Sequence, residues 1–268
     1  MQTLLYEGLK IFGEKISFID DHLVIEAPLQ ININGNPYTV VMRTPNDDLQ
    51  LIRGLLFAED IYKKQHSLPY EIVAQHDDFS TVINITINKS DLGKGYLNKR
   101  TLLSVSSCGI CGKKQLNDIK VGGAKKLRKQ TCKADFLLEA FQQLKEKQKV
   151  FIKTGGSHAA AIFDIQHKML TIKEDIGRHN AVDKCVGDLL EKQKLTDANY
   201  LLVSGRVSYE IVIKAFIAKI PVIVAVSACS SLAVDFAKEF GICLVGFTRN
   251  HKMTVYANAS YLEKLNHG

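Results

Sequence analysis

The stretch that decides the fold is residues 200–247, YLLVSGRVSYEIVIKAFIAKIPVIVAVSACSSLAVDFAKEFGICLVGF. Short, continuously apolar runs alternate in it with longer segments of helical apolar spacing. The pattern predicts strands at 200–203, 222–226 and 242–247 and helices at 209–219 and 232–240. Continuously apolar strands are typical of a sheet covered on both faces, so we predict an α/β unit with parallel strands.

Polar loops follow each of these three strands. If the strands are parallel, their carboxyl ends meet at one edge of the sheet, where open α/β sheets bind ligands. The loops are Ser204-Gly205-Arg206, residues 227–231, which include Ser230, and Thr248-Arg249-Asn250-His251-Lys252. Two loops open helices whose free N–H groups suit an anion, and Arg206, Arg249 and Lys252 add positive charge. We expect a phosphate-bearing ligand here, although each serine alone fits a helix cap and each basic residue alone fits a solvated surface.

The N-terminal part of the chain predicts a separate, mixed layer. We expect a strand at 38–43, a helix at 47–59 behind Asn46 as a cap candidate, and strand alternation through 81–87. Residues 45–47 are most simply interpreted as a turn and a helix cap, although they could also orient the side chain of Arg43. A further amphipathic helix is predicted at 135–148, with one apolar face formed by Phe136, Leu137, Ala140, Phe141 and Leu144.

Cys108 and Cys111 form a Cys-x-x-Cys pair with glycines beside it and Lys113 and Lys114 directly after it. Nearby ammonium groups favour the reactive thiolate, so this segment is expected to carry sulfur chemistry. The pair by itself is compatible with half a metal site, a dithiol switch or a carrier of sulfur. A zinc site usually has a second matched pair, but the other cysteines stand singly, at 132, 185, 229 and 243. No apolar helical stripe follows Cys111, as a thioredoxin-like switch would require.

The formal charge of +7 is concentrated around this pair, since residues 108–133 hold eight Lys or Arg and one acidic residue. Such a run is most often a solvated surface, and nucleic acid is another partner it could attract. Beside a dithiol it could instead lower a thiol pKa and attract an anionic partner. The run has no aromatic residue for base stacking, so we expect no nucleic-acid partner.

Two further polar segments precede the α/β unit. Residues 154–161, TGGSHAAA, combine a glycine turn with residues small enough for close backbone approach. Residues 174–184, EDIGRHNAVDK, place His179 and Asp183 on one helix face. A single histidine is usually structural, but the density of polar groups here makes a functional pocket a serious alternative to simple capping.

The composition places limits on location. Residues 1–15 lack the apolar core of a signal peptide, and the apolar run 211–226 is interrupted by Lys214, Lys219 and Pro221. Six cysteines in 268 residues fit a reducing compartment, where free thiols persist. We therefore expect a cytoplasmic chain that neither enters nor spans a membrane.

Five segments resemble, in order along the chain, the formate dehydrogenase accessory sulfurtransferase family, FdhD. They are SSCGICG (106–112), TGGSHAAA (154–161), EDIGRHNAVDK (174–184), SGRVSYE (204–210) and SSLAVD (230–235). Five blocks over nearly the whole chain are much more specific than one Cys-x-x-Cys pair. Cys229 departs from the family pattern, which resembles Ser-Ala-Pro-Ser-Ser at this point, and without the proline the turn is less rigid.

The resemblance implies a sulfurtransferase that accepts sulfur as a persulfide from a cysteine desulfurase and passes it to the molybdenum cofactor of formate dehydrogenase. It implies Cys108 as the persulfide cysteine and Cys111 as its partner. It also implies that the cofactor, in its bis-molybdopterin guanine dinucleotide form, is a bound substrate, and no permanent metal is expected. We expect it to be held by Arg206, Ser230, Phe247, Thr248, Arg249, Asn250, His251 and Lys252.

The architecture implied by the resemblance is a homodimer of two-domain chains. We expect an N-terminal mixed α+β domain (1–107), a basic dithiol loop (108–133) and a cytidine-deaminase-like three-layer α/β domain (134–268). A zinc-dependent deaminase-like hydrolase is a competing function, but the chain lacks the His-x-Glu and Pro-Cys-x-x-Cys pattern of that class. The other competitor is a non-enzymatic basic protein that binds RNA or a cofactor through the charged run.

Overall fold

Three β-sheets organise the computed structural model, which describes residues 1–64, 67–97, 125–249 and 251–263. The first is a two-stranded antiparallel ribbon of β1 (Thr3–Phe12) and β2 (Lys15–Val24). Its apolar side chains are largely exposed, and Phe12 and Phe18 are the most exposed of them, at 81% and 76%. This ribbon was not predicted, because neither strand has the alternation of a sheet with one buried face.

The second sheet has four strands in the order β4-β3-β6-β5. Their bounds are Ala27–Ile33 for β3, Asn36–Arg43 for β4, Tyr70–Gln75 for β5 and Thr81–Ile85 for β6. Helix α1 (Asp48–Ala58) shares with the sheet a core that contains Leu29, Ile31, Leu51 and Ile83. The predicted strand at 38–43, the helix at 47–59 and the alternation through 81–87 are confirmed.

The predicted cap of α1 is wrong. The N-cap is Asp47 rather than Asn46, and its side chain makes no capping hydrogen bond. Its carboxylate instead accepts from Lys173 Nζ at 2.5 Å. Arg43 is buried and forms a two-pronged pair with Asp48, with both N–O distances 2.9 Å, so the turn beside it has a structural role.

The third sheet has six strands in the order β12-β11-β10-β9-β7-β8. Its strands are β7 (His158–Phe163), β8 (Met169–Asp175), β9 (Tyr200–Val203), β10 (Val222–Ala225), β11 (Cys243–Arg249) and β12 (Lys252–Ala257). Strands β9, β10 and β11 are parallel, as predicted, whereas β7, β8 and β12 join antiparallel. The expected loop at 248–252 is instead largely strand, because β12, which was not predicted, pairs with β11 and prolongs it to Arg249.

Helices cover both faces of the six-stranded sheet. Helices α4 (Arg178–Glu191), α5 (Tyr209–Ile217) and α6 (Ser231–Phe240) pack on one face, with Ile162, Leu201 and Ile223 beneath them. Helix α2 (Ala134–Lys147) packs on the other face and is followed by α3 (Lys149–Thr154). All five apolar residues predicted for the face of α2 are buried. A mixed α/β fold is thus confirmed, and the finer cytidine-deaminase-like layering stays a prediction.

The N-terminal sheet and the six-stranded sheet are joined by very close packing of α1 on α4. A Cβ added to Gly54 of α1 would lie 1.9 Å from the carbonyl oxygen of Asp183, and one added to Gly187 of α4 would lie 1.9 Å from that of Gln50. Only glycine allows the two backbones to approach so closely. The predicted domain boundaries stay a prediction, and residue 107 lies outside the described residues. In the described part of the chain, no helix is long and apolar enough to cross a membrane.

Candidate functional site at the carboxyl edge of the six-stranded sheet

The carboxyl ends of β9, β10 and β11 meet at one edge of the sheet, as their parallel order requires. Antiparallel β7 begins at the same edge, so His158 lies beside Ser204, whose Oγ accepts from the N–H of Ala159 at 2.9 Å. A cleft of about 1120 Å³ opens here between the edge and α2. The sheet therefore brings polar residues from separate parts of the chain to one cavity.

The structure divides the predicted binding residues into two groups. Thr248, Arg249 and His251 line the cleft, together with His158 and Ser204. The residues predicted to share this role but not found in the cleft wall are Arg206, Ser230, Phe247 and Lys252. Asn250, Cys108 and Cys111 lie outside the described residues.

Thr248 is the most informative residue of the cleft wall. Its side chain is 2% exposed, and its Oγ1 has no hydrogen-bond partner. An unpaired buried hydroxyl costs free energy in the absence of a partner, so it is expected where a ligand completes the bond. Two other unpaired buried atoms, Arg178 Nε and His179 Nδ1, belong to the first turn of α4, which starts at the same edge.

Ser230 has a structural task. Its Oγ accepts from the N–H of Ala233 at 3.2 Å and so caps the N-terminus of α6. This hydrogen bond occupies one of the first-turn N–H groups of α6 that we expected to bind an anion. Helices α4 and α5 begin after Gly177 and Ser208, and neither of these residues makes a side-chain capping hydrogen bond.

Within the described part of the chain, the arginines of this edge are not neutralised by acidic residues. Among the described residues, Arg178, Arg206 and Arg249 have no carboxylate or carbonyl partner, whereas Arg43 and Arg53 in the N-terminal half bind several acceptors each. Arginine without a protein partner at the edge of an α/β sheet is typical of sites that bind phosphate or carboxylate groups.

The positive charge of this edge affects the pKa of His158. Burial lowers the pKa of His158 first, and the positive charges of Arg178 and Arg206 lower it further. Glycine at position 205 allows the His158 ring to lie close to the loop after β9, because a Cβ at that position would lie 3.1 Å from His158 Nδ1. His158 lies within the segment TGGSHAAA but was not predicted as a site residue. The signal for it is that it is the first residue of β7, which neighbours β9.

A family model described as the FdhD/NarQ family matches residues 24–263. The chain belongs to this family. A Mycobacterium tuberculosis protein named "Sulfur carrier protein FdhD" is 42% identical over 252 residues, covering 88% of this chain and 90% of that protein. Proteins of the same name from Streptomyces coelicolor and Sulfolobus acidocaldarius are 39% and 37% identical, covering 94% and 91% of this chain and 92% of each relative.

A solved structure has the same fold as this FdhD/NarQ family member. It is the crystal structure of a protein described as a formate dehydrogenase accessory protein from Desulfotalea psychrophila. The TM-score is 0.76 at 20% sequence identity, and the match covers 98% of this chain and 100% of the other. At this identity the likeness shows the fold alone.

Most of the polar residues in segment 174–184 of this family member are structural. Buried Asp175 and Lys184 form an ion pair of 2.8 Å, and both also bind the backbone of Thr44. Asn180 donates to Asp175 Oδ1 and to the carbonyl of Met42. Asp183 accepts from Lys214 at 2.6 and 2.8 Å. The expected helix face shared by His179 and Asp183 exists in α4, but the two side chains have different partners.

The four described cysteines are poorly suited to sulfur chemistry. Burial raises the pKa of Cys132 and of Cys229 to about 11 and that of Cys243 to about 12, and it also raises the pKa of Cys185. A thiol with a raised pKa carries little thiolate at neutral pH. Within the described residues, no group of three or more His, Cys, Asp or Glu side chains could hold a metal ion.

Proposed function

We propose that this chain is a sulfur carrier of the FdhD type, with Cys108 as the cysteine that holds the sulfur as a persulfide. The relatives named sulfur carrier protein support the general role. The observation that carries the assignment to Cys108 and Cys111 is the chemistry of the other thiols. The pKa of each described cysteine is raised by burial, which leaves the glycine-flanked, lysine-rich pair as the candidate for a reactive thiolate.

The proposed loading step is a thiol exchange with a cysteine desulfurase. The Cys108 thiolate attacks the outer sulfur of the donor persulfide, a sulfur–sulfur bond forms on Cys108, and the donor cysteine leaves as a thiolate. Lys113 and Lys114 stabilise the negative charge before and after the exchange. The chain then acts as a sulfurtransferase in the cytoplasm.

The proposed acceptor is the molybdenum cofactor in its bis-molybdopterin guanine dinucleotide form, which serves formate dehydrogenase. Its guanine nucleotides carry diphosphates, and the carboxyl edge supplies unpaired arginines and the buried hydroxyl of Thr248. We assign its binding to Arg206, Ser230 and residues 247–252. Delivery can end with Cys111 attacking the inner sulfur on Cys108, so that hydrosulfide leaves and a Cys108–Cys111 disulfide remains.

A homodimer is part of the proposal. The β1–β2 ribbon exposes Leu9, Ile11, Phe12, Ile16 and Phe18, and a patch of this kind is typical of protein–protein contacts. A second chain would bury these side chains.

Mass spectrometry of the protein after incubation with a cysteine desulfurase and cysteine tests the carrier role. We expect the mass of one added sulfur atom on the peptide that contains Cys108, and its loss in Cys108→Ala. Cys229→Ala is the matched control, because it removes a half-buried thiol of raised pKa and should leave the loading unchanged. Normal loading of Cys108→Ala would show that another residue carries the sulfur.

A further inference from the structure

We propose that Arg178 and His179, at the N-terminus of α4, bind a phosphate group of the ligand, with Arg206 beside them. Neither Arg178 nor His179 was among the binding residues expected from the sequence. The inference deepens the proposed function, because it assumes a phosphate-bearing ligand at the carboxyl edge and says which residues grip its phosphate.

His179 carries the argument. It is only 5% exposed, and its Nε2 lies 3.0 Å from Oγ of Ser208, the N-cap of α5. The ring therefore lies between the N-termini of α4 and α5. Ser208 donates its own proton to Glu210 at 2.7 Å, and Glu210 Oε2 also lies 3.1 Å from Nε2, so the groups around Nε2 accept a hydrogen bond from Nε2–H. This leaves Nδ1 as a buried polar atom without a partner.

The surroundings of Nδ1 favour an oxyanion. Helix α4 has no side-chain cap, so its first-turn N–H groups are available beside Nδ1. Arg178 and Arg206 are both close enough to His158 to lower its pKa, which places two positive charges in one cluster. Of the two carboxylates near the start of α4, Asp175 is already paired with Lys184, and Glu210 contacts Nε2 of His179, at 3.1 Å, rather than Nδ1.

The chemistry of phosphate matches these groups. Arg178 offers a buried Nε–H that has no acceptor, and phosphate oxygens accept from guanidinium in a planar geometry. Nδ1 donates to a phosphate oxygen when it is protonated and accepts from a phosphate hydroxyl when it is not. The cleft on the other side of the sheet edge, lined by Thr248 and Arg249, then remains for the other parts of the ligand.

Two substitutions of His179 separate binding from folding. In His179→Gln the amide stands near the former Nε2, which keeps the contact with Ser208 and removes the group at Nδ1. In His179→Asn the amide stands near the former Nδ1, so the ligand contact is kept and the contact with Ser208 is lost. Arg178→Gln removes the guanidinium, and Arg128→Gln is its charge-matched control. Arg128 is exposed and follows Leu127, which binds the last turn of α6, far from the carboxyl edge.

Isothermal titration calorimetry of the full chain at low salt, with inorganic diphosphate, GDP and guanosine as probes, is the test. We expect saturable binding of diphosphate and GDP, weakened about tenfold or more by Arg178→Gln and His179→Gln. Weaker effects are expected for His179→Asn, and none for Arg128→Gln. Melting temperatures of all variants confirm that they are folded.

Two outcomes would overturn the inference. If diphosphate binding is lost in Thr248→Val or Arg249→Gln and unchanged in Arg178→Gln, the phosphate lies in the cleft. If the wild-type chain binds neither diphosphate nor GDP, the edge is not a phosphate site. Sulfur loading of Cys108 needs no phosphate site, so the carrier role is tested separately from this result.

Discussion

Replacing Lys184, which is not one of the proposed ligand contacts, with methionine should destabilise the protein severely. Lys184 and Asp175 are both fully buried and lie 2.8 Å apart. Lys184 Nζ also donates to the carbonyl of Thr44 at 2.8 Å, so the substitution removes the cation and one bond between the two halves of the chain. Asp175 then remains buried as an unpaired charge.

The expected cost is about 3–5 kcal/mol, the usual range for removing one partner of a buried ion pair. A typical domain has a stability of about 5–15 kcal/mol, so the loss is a large share of the total. Chemical denaturation followed by circular dichroism measures it, since the chain has no tryptophan for fluorescence. The double variant Lys184→Met, Asp175→Asn should recover part of the loss, because it leaves no unpaired buried charge.

Either of two results would contradict a strongly coupled buried pair. One is a cost of less than about 1 kcal/mol for Lys184→Met, which is the range of exposed ion pairs. The other is a double variant that is no more stable than Lys184→Met alone, because the two positions would then be energetically independent.

Three further changes test other parts of the structure. Gly54→Ala should lower the melting temperature strongly, since its Cβ would lie 1.9 Å from the backbone oxygen of Asp183, and near-normal stability would contradict the close packing of α1 on α4. Thr248→Val should raise the free energy of unfolding by about 1 kcal/mol and weaken GDP binding, because it removes an unpaired buried hydroxyl that a ligand would use. Denaturation measures the first quantity and calorimetry the second, and no change in either would contradict this expectation. Because the pKa of His158 is lowered in the folded state, protonation favours unfolding, and stability should fall as the pH drops below about 6.5. His158→Gln should make this fall smaller in denaturation curves recorded between pH 7.5 and 5.5. A variant with the same pH dependence as the wild type would contradict this expectation.

The α/β unit was predictable because its strands are buried on both faces and so read as continuous apolar runs. Strand β9, Tyr200–Val203, was predicted to the residue, and the parallel order that follows from it correctly brought the loops after β9, β10 and β11 to one edge. The ribbon of β1 and β2 has no buried face, so its sequence carries no alternation to detect. Strand β12 was missed because it pairs antiparallel at the edge of a parallel unit, where local pattern does not indicate pairing.

The candidate site was predictable only in outline, because sequence spacing does not say on which side of a sheet edge a side chain lies. Arg206 follows β9 and Arg249 ends β11 of the same parallel unit, yet only Arg249 lines the cleft. In the same way, Arg178 and Lys184 belong to one dense polar segment, but one has an unpaired buried nitrogen and the other is fully paired in the interior. Burial and partners, which separate these roles, arise from the tertiary structure.

In segment 174–184, the proposed ligand-binding residues depend on the structural residues for their position. Asp175, Asn180 and Lys184 bind the backbone of residues 42–44 and thereby fix α4 against the N-terminal half. Because α4 is held there, its first turn presents Arg178 and His179 at the carboxyl edge. A change in either class would reduce ligand binding, so loss of binding alone does not identify a contact residue. Only a variant that loses affinity while keeping the wild-type melting temperature, as expected for Arg178→Gln, belongs to the site itself.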